Sequence, residues 1–143
     1  MTIKWDERLN VGHTVIDSEH KLLLTTINAL EIALRHPEDK EPVLFFMSQL
    51  HEFALLHFQH EKKLQLKHKY PFIKDNLQGH HALMIELNRI SEDIRRIESQ
   101  DSLSDTDIAD LRRYVVYLGK DWLIAHVMKE DLRMKGFMGD GDE

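Results

Sequence analysis

Apolar residues return at intervals of three and four along most of the chain, the period of an α-helix and not the alternation of a half-buried strand. After an N-terminal arm carrying Trp5 and a turn at Gly12, one stripe runs through His20, Leu23, Leu24, Ile27, Leu30 and Leu34, with Asp17 placed to cap the helix start. HPEDKEP, residues 36–42, ends it. A second stripe, Val43, Met47, Leu50, Ala54, His57, Glu61 and Leu64, begins near Pro42, which the first turn of a helix tolerates. It stops where Lys67, His68 and Lys69 precede Tyr70 and Pro71. The third stripe is Leu77, His80, Met84, Leu87, Ile94 and Ile97. Past the polar segment 99–107, the fourth is Ile108, Leu111, Val115, Leu118, Trp122 and His126, followed by the glycine-rich acidic end GDGDE. Four amphipathic helices with short connections predict an all-α fold: an antiparallel up-down four-helix bundle with an N-terminal arm, one domain over 1–143.

The polar members of those stripes carry the chemistry. His20, His57, Glu61, His80 and His126 all occupy positions that the helical period assigns to the core, where an unpaired carboxylate is costly to desolvate. One such histidine alone is most simply a core group bonded to a backbone carbonyl. A set contributed by all the helices needs a shared partner, and a cation supplies one. His57 and Glu61, at i and i+4, lie one above the other on a single face and reach a common point.

Composition narrows the choice of cation and of function. The 143 residues are 42% hydrophobic and 31% charged, enough for one domain with a genuine core. A net charge of −6 offers no basic face for nucleic acid. The opening MTIKWDERLN lacks the order of a signal peptide and no apolar run is long enough to cross a bilayer, so a soluble, cytoplasmic protein without a membrane partner is expected. With no cysteine and ten histidines, a metal here is held by imidazole and carboxylate, which favours iron, zinc or manganese.

Trp5, Val11-Gly12, Ile16-Asp17, Glu19-His20, Lys21-Leu22, His57-Phe58, Glu61, Tyr70-Pro71, His80, Trp122-Leu123, His126 and Asp131 together resemble the pattern of the bacterial hemerythrin family, over nearly the whole chain. The resemblance implies two non-heme irons, bridged by an oxo or hydroxo oxygen and by two carboxylates, that bind dioxygen reversibly. Position by position, Glu61 and Asp131 match the bridging carboxylates. His20 and His57 match the pair on the iron that receives oxygen, and His80 and His126 match ligands of the other iron.

Asn76 departs from that pattern, standing where the family has a further histidine, four residues before His80. Asparagine offers an oxygen of less donor strength than imidazole toward a first-row metal, which weakens the second iron. Three outcomes follow, in descending order of expectation: Asn76 or a water completes a weakened pair; His81 is recruited by a local shift that Gly79 eases; or the second metal is lost. His81 lies about 100° around the helix from His80, which argues against recruitment. His126 and Asp131, five residues apart, diverge on a regular helix by about 140°. Their convergence predicts a π-bulge or widened turn between Val127 and Glu130. Without the resemblance, Asp131 reads equally well as an exposed residue in the charged run KEDLR.

The other histidines, His13, His36, His51, His60 and His68, are expected on the surface or in loops, and Asp17 is taken as a cap before a ligand-orienting group. Phe58, Leu24, Ile27 and Trp122 are core packing that also walls a site for a small neutral gas. The leading function is reversible dioxygen binding for carriage, storage or delivery. The alternative is an iron-based module sensing oxygen, redox state or nitric oxide, its metal centre modified by Asn76. No catalytic residues and no enzyme activity are expected, and a protein partner is left open.

Overall fold

The computed structural model describes residues 2–141. They form α1 (Thr14–Ala33), α2 (Lys40–Lys67), α3 (Ile73–Glu98) and a fourth rod, in which α4 (Asp105–Tyr117) continues through a π-helical stretch, Leu118–Ile124, into the short α5 (Ala125–Lys129). Short 3₁₀ turns at Glu7–Leu9 and Asp131–Met134 flank the set, and no strand occurs among the described residues. None of the helices is long and apolar enough to cross a membrane.

Local chemistry sets the helix ends. α1 starts earlier than the predicted cap at Asp17: the buried ring of His13 accepts from the Ile16 amide at 3.3 Å and is the N-cap. Asp17 sits inside the first turn and reaches back to the Val11 and Gly12 amides, at 2.8 and 3.1 Å, fastening the arm to the helix. Gly12 adopts φ 94°, the left-handed turn that glycine permits. Asp39 caps α2 three residues before Pro42, which lies in the first turn. α2 ends with Lys69 at φ 52° and the Tyr70 amide bonded to the Gln65 carbonyl, a left-handed stop. Ser104 and Asp107 form a reciprocal capping box at the start of α4.

The buried apolar residues fall into two groups. The larger includes Leu23, Ile27, Met47, Leu50, Ala54, Phe58, Leu87, Ile90, Val115, Leu118, Trp122 and Val127. The smaller, at one end, holds Val11, Ile16, Tyr70, Met134 and Met138. Between Ile16 and Leu23 on α1 lies His20, and between Phe58 and Tyr70 lies Glu61. The rods therefore carry a polar layer between two apolar ones. That layer falls early in α1, late in α2, early in α3 and late in the fourth rod, so successive rods run antiparallel.

Candidate metal centre

In the polar layer His20, His57, Glu61, His80, Asn76 and Asp131 are all buried, and the His126 side chain is 9% exposed. Each carboxylate divides its two oxygens between two histidine pairs. Glu61 turns Oε2 toward Nε2 of His57 at 2.9 Å and of His20 at 3.6 Å, and Oε1 toward Nε2 of His80 at 2.9 Å. Asp131 turns Oδ2 toward His20 Nε2 and Oδ1 toward His126 Nε2, both at 3.1 Å. Two ligand sets result, His20, His57, Glu61 and Asp131 on one side and Glu61, His80, His126 and Asp131 on the other, each compact enough to hold a metal ion.

The donor atoms fit a cation. Both nitrogens of His20, both oxygens of Glu61, Nε2 of His80 and His126, and Oδ2 of Asp131 are buried without a hydrogen-bonded partner. Orphaned polar atoms of this kind are costly in a protein interior, and here they converge instead of dispersing. Nitrogen and carboxylate oxygen standing close together without hydrogen-bond alignment is the arrangement of ligands around a shared ion.

The electrostatics describe the same frustration. Burial pushes the Glu61 carboxyl up, but the charge of His57 and contacts with His20, His57 and His80 outweigh it, and the group stays well below the usual carboxylate range. Asp131 is held down too, against burial and the charge of Glu61, by His126 and His20. Burial pushes His57 down, whereas Glu61 and Glu19 raise it to about 10. His20 and His126 are also raised, against burial, chiefly through Asp131. Protons on these rings balance the carboxylates, and a cation binding to them must displace those protons.

Rod geometry brings His126 and Asp131 together, but by a different device from the predicted one. The widened π turns lie upstream, at Leu118–Ile124, and not between Val127 and Glu130. In a regular α-helix the steps Leu118, Trp122, His126 would each drift about 40°. A wider turn keeps all three inward. Beyond His126, α5 ends at Lys129, Glu130 leaves helical geometry at φ −109° and ψ −54°, and the tighter 3₁₀ turn delivers Asp131. Gly79 has a different use from easing a shift of α3. A Cβ there would stand 2.8 Å from Cε1 of His126, so the glycine makes room for that ring. His81 is exposed and takes no part in the cluster.

Asn76 takes part through its amide: Nδ2 donates to Asp131 Oδ1 at 2.9 Å, while its own oxygen is buried and unpartnered. Glu19 entered the sequence reading only as part of the family pattern, with no role assigned to it. Its carboxylate lies 3.1 Å from His57 Nδ1 and 2.6 Å from His60 Nδ1, and burial, which pushes it up, is outweighed by those two histidines. Its position beside His20 was the available signal, but the contact crosses from α1 to α2. His60, expected to be solvated, is half exposed with Glu19 as partner. His13, expected on the surface, is buried as the α1 cap. His36 is exposed, and His51 and His68 are partly exposed.

Residues 11–137 match the family model described as the hemerythrin HHE cation binding domain. The chain is 24% identical over 127 residues to the bacteriohemerythrin of Stenotrophomonas maltophilia, covering 89% of this chain and 75% of that protein. It is 26% identical over 127 residues to the bacteriohemerythrin of Pseudomonas paraeruginosa, with the same two shares. To the hemerythrin-like protein of Naegleria gruberi it is 24% identical over 134 residues, 94% of this chain and 92% of that one. A helical bundle whose buried histidines share two carboxylates, matched by that domain over most of its length, places this chain in the hemerythrin family.

Proposed function

We propose that this protein binds dioxygen reversibly at two non-heme irons held by His20, His57, Glu61, His80, His126 and Asp131, for carriage, storage or delivery. When bound, two ferrous ions supply the pair of electrons that dioxygen takes up on binding and returns on release. The chain's own part is to hold, orient and exclude. Glu61 and Asp131 offer one oxygen to each histidine pair, so a single carboxylate serves both positions. Asn76 donates to Asp131 and Glu19 holds the far nitrogen of His57, which fixes both groups in orientation.

The observation that carries the reading is the pair of compact ligand sets that share Glu61 and Asp131; beside them, against His20, His57, His126 and Asp131, lies a pocket of about 10 Å³ walled by Leu23, Phe58, Leu83, Trp122 and Leu123. That is room for about one water-sized molecule. Its apolar wall suits a small neutral gas and discourages the entry of water and protons. Such a pocket supports binding over turnover of an organic substrate. A sensing role is the second reading, favoured by Asn76, whose neutral amide replaces an imidazole beside the His80 and His126 pair.

The test is iron per chain on anaerobically purified protein, followed by the optical spectrum on exposure to air. Two irons and a visible band that disappears on deoxygenation are expected. Irreversible conversion to the ferric state would favour sensing, and protein that takes up no iron would overturn both readings.

A further inference from the structure

The two ligand sets share Glu61 and Asp131, so any difference between them comes from residues that touch one side only. On the His20 and His57 side stands Glu19, a third carboxylate, 3.1 Å from His57 Nδ1. The side chain of Glu19 is 19% exposed, so its charge is partly shielded from water. Among the described residues, His80 and His126 have no carboxylate within 4.0 Å apart from Glu61 and Asp131 themselves. On their side stands Asn76, which is neutral, and whose amide already donates to Asp131 Oδ1, drawing electron density from the oxygen that faces His126. A carboxylate behind a ligand imidazole raises its basicity and fixes its tautomer, while a donor on a ligand carboxylate lowers that oxygen's donor strength. Both differences act in the same direction.

We infer that the two metal positions are unequal: the His20, His57, Glu61 and Asp131 position fills first and tightly, and the His80, His126, Glu61 and Asp131 position fills second and exchanges. Glu19 is the positioning residue for the first, and Asn76 is the residue that loosens the second. The inference rests on the reading of the site as a pair of irons. Its consequence is that the centre is completed only when ferrous ion is plentiful, which ties dioxygen binding to iron supply.

Two like cations repel each other wherever they sit, so stepwise uptake alone does not separate unequal positions from equal ones. Occupancy at one equivalent does. Metal-free protein is titrated anaerobically with ferrous ⁵⁷Fe, followed by calorimetry and Mössbauer spectroscopy. The expected result is a single quadrupole doublet at one equivalent and a second, distinct doublet only on adding the next. Two doublets of equal area at one equivalent would overturn the inference while leaving the dioxygen reading intact. Glu19→Gln, which keeps size and shape, is expected to weaken the first step by about 10- to 100-fold and leave the second within a factor of a few. Equal weakening of both steps, or of neither, would remove Glu19 from the role. Asn76→His is expected to tighten the second step at least tenfold and to change the second doublet alone; an unchanged second step would remove Asn76. Stepwise iron uptake as inferred, with no reversible oxygen spectrum, would sink the functional reading and not this one.

Discussion

Asn76 and Asp131 are joined by a buried hydrogen bond of 2.9 Å, from the amide of the one to the carboxylate of the other, between α3 and the 3₁₀ turn that follows the fourth rod. A carboxylate cannot donate, so the amide nitrogen must be the group that faces it. Removing the donor leaves a buried charged acceptor short of a partner, which costs about 1–3 kcal/mol. Asn76→Ala is therefore expected to lower the stability of the metal-free protein by that amount in chemical denaturation. Asn76→Asp is expected to lower it further, since it sets two buried carboxylates against each other, and to recover when metal is added. An Asn76→Asp protein no less stable than Asn76→Ala without metal would contradict the arrangement.

Metal should stabilise the fold in proportion to how well the site is preformed. The orphaned atoms of His20, Glu61, His80, His126 and Asp131 gain partners only in the bound state. A ligand present at 100 times its dissociation constant adds about 2.7 kcal/mol, and for a chain of this size that is a rise in melting temperature of about 5–10 °C. Differential scanning calorimetry before and after chelator treatment measures it. Equal melting temperatures would mean that the cluster does not hold metal.

Gly79 lies on α3 under the ring of His126. Alanine would favour the helix by roughly 0.5–1 kcal/mol over glycine, but its Cβ would meet His126 Cε1 at 2.8 Å and Nδ1 at 3.2 Å. The ring must move, and with it a candidate ligand. Gly79→Ala is thus expected to leave the metal-free melting temperature nearly unchanged while reducing metal retained through gel filtration. Full retention of metal would show that the ring has room to spare.

The bundle and most of the cluster were legible because both depend on a period. Stripes at three and four residues located the rods, and polar residues on those stripes, His20, His57, Glu61, His80 and His126, stood out as core positions that need compensation. What escaped depends on contacts between rods or on small departures from the period. Glu19 lies off the stripe of α1 and finds His57 only when α1 and α2 are packed. His13 has no neighbour in sequence that marks it as a cap, and Asp17, a better cap by composition, is drawn back to the Val11 and Gly12 amides. The π stretch did leave a trace: Leu118, Trp122 and His126 follow each other at four residues, longer than the α-helical 3.6. That trace sits upstream of the place where divergence between His126 and Asp131 had pointed.

Lys69 holds a left-handed conformation, φ 52°, at the end of α2. A side chain in this region costs roughly 1–2 kcal/mol, and glycine escapes that cost while gaining freedom in the unfolded chain worth about 0.4–1 kcal/mol. Lys69→Gly is expected to stabilise the protein by up to about 1 kcal/mol. Lys69 is exposed and belongs to neither ligand set, so the gain should appear without a change in metal binding. A loss of stability would show that the Lys69 side chain makes a contact that outweighs its backbone cost.

Acid sensitivity can be isolated at the opposite end of the bundle, away from the metal centre. Asp107 closes the capping box of α4, accepting from the Ser104 amide at 3.1 Å, and its other oxygen accepts from Arg96. Burial pushes its carboxyl up, but the Arg96 guanidinium and the Ser104 amide and hydroxyl outweigh it, so its pKa lies below the ordinary 3.8. For a carboxyl depressed in the folded state, the stabilisation is fully present above the unfolded value and drains away as pH falls through the folded one. Asp107→Asn, which keeps an oxygen for the Ser104 amide but removes the charge that faces Arg96 and the helix start, should therefore cost about 0.3–1 kcal/mol at neutral pH. The difference from the parent should close as pH drops below 4. The carboxylates of the metal site titrate alike in both proteins, so their contribution cancels in that comparison. A stability difference that stays constant from pH 7 down to pH 3 would mean that the cap works through shape and not through the charge of Asp107.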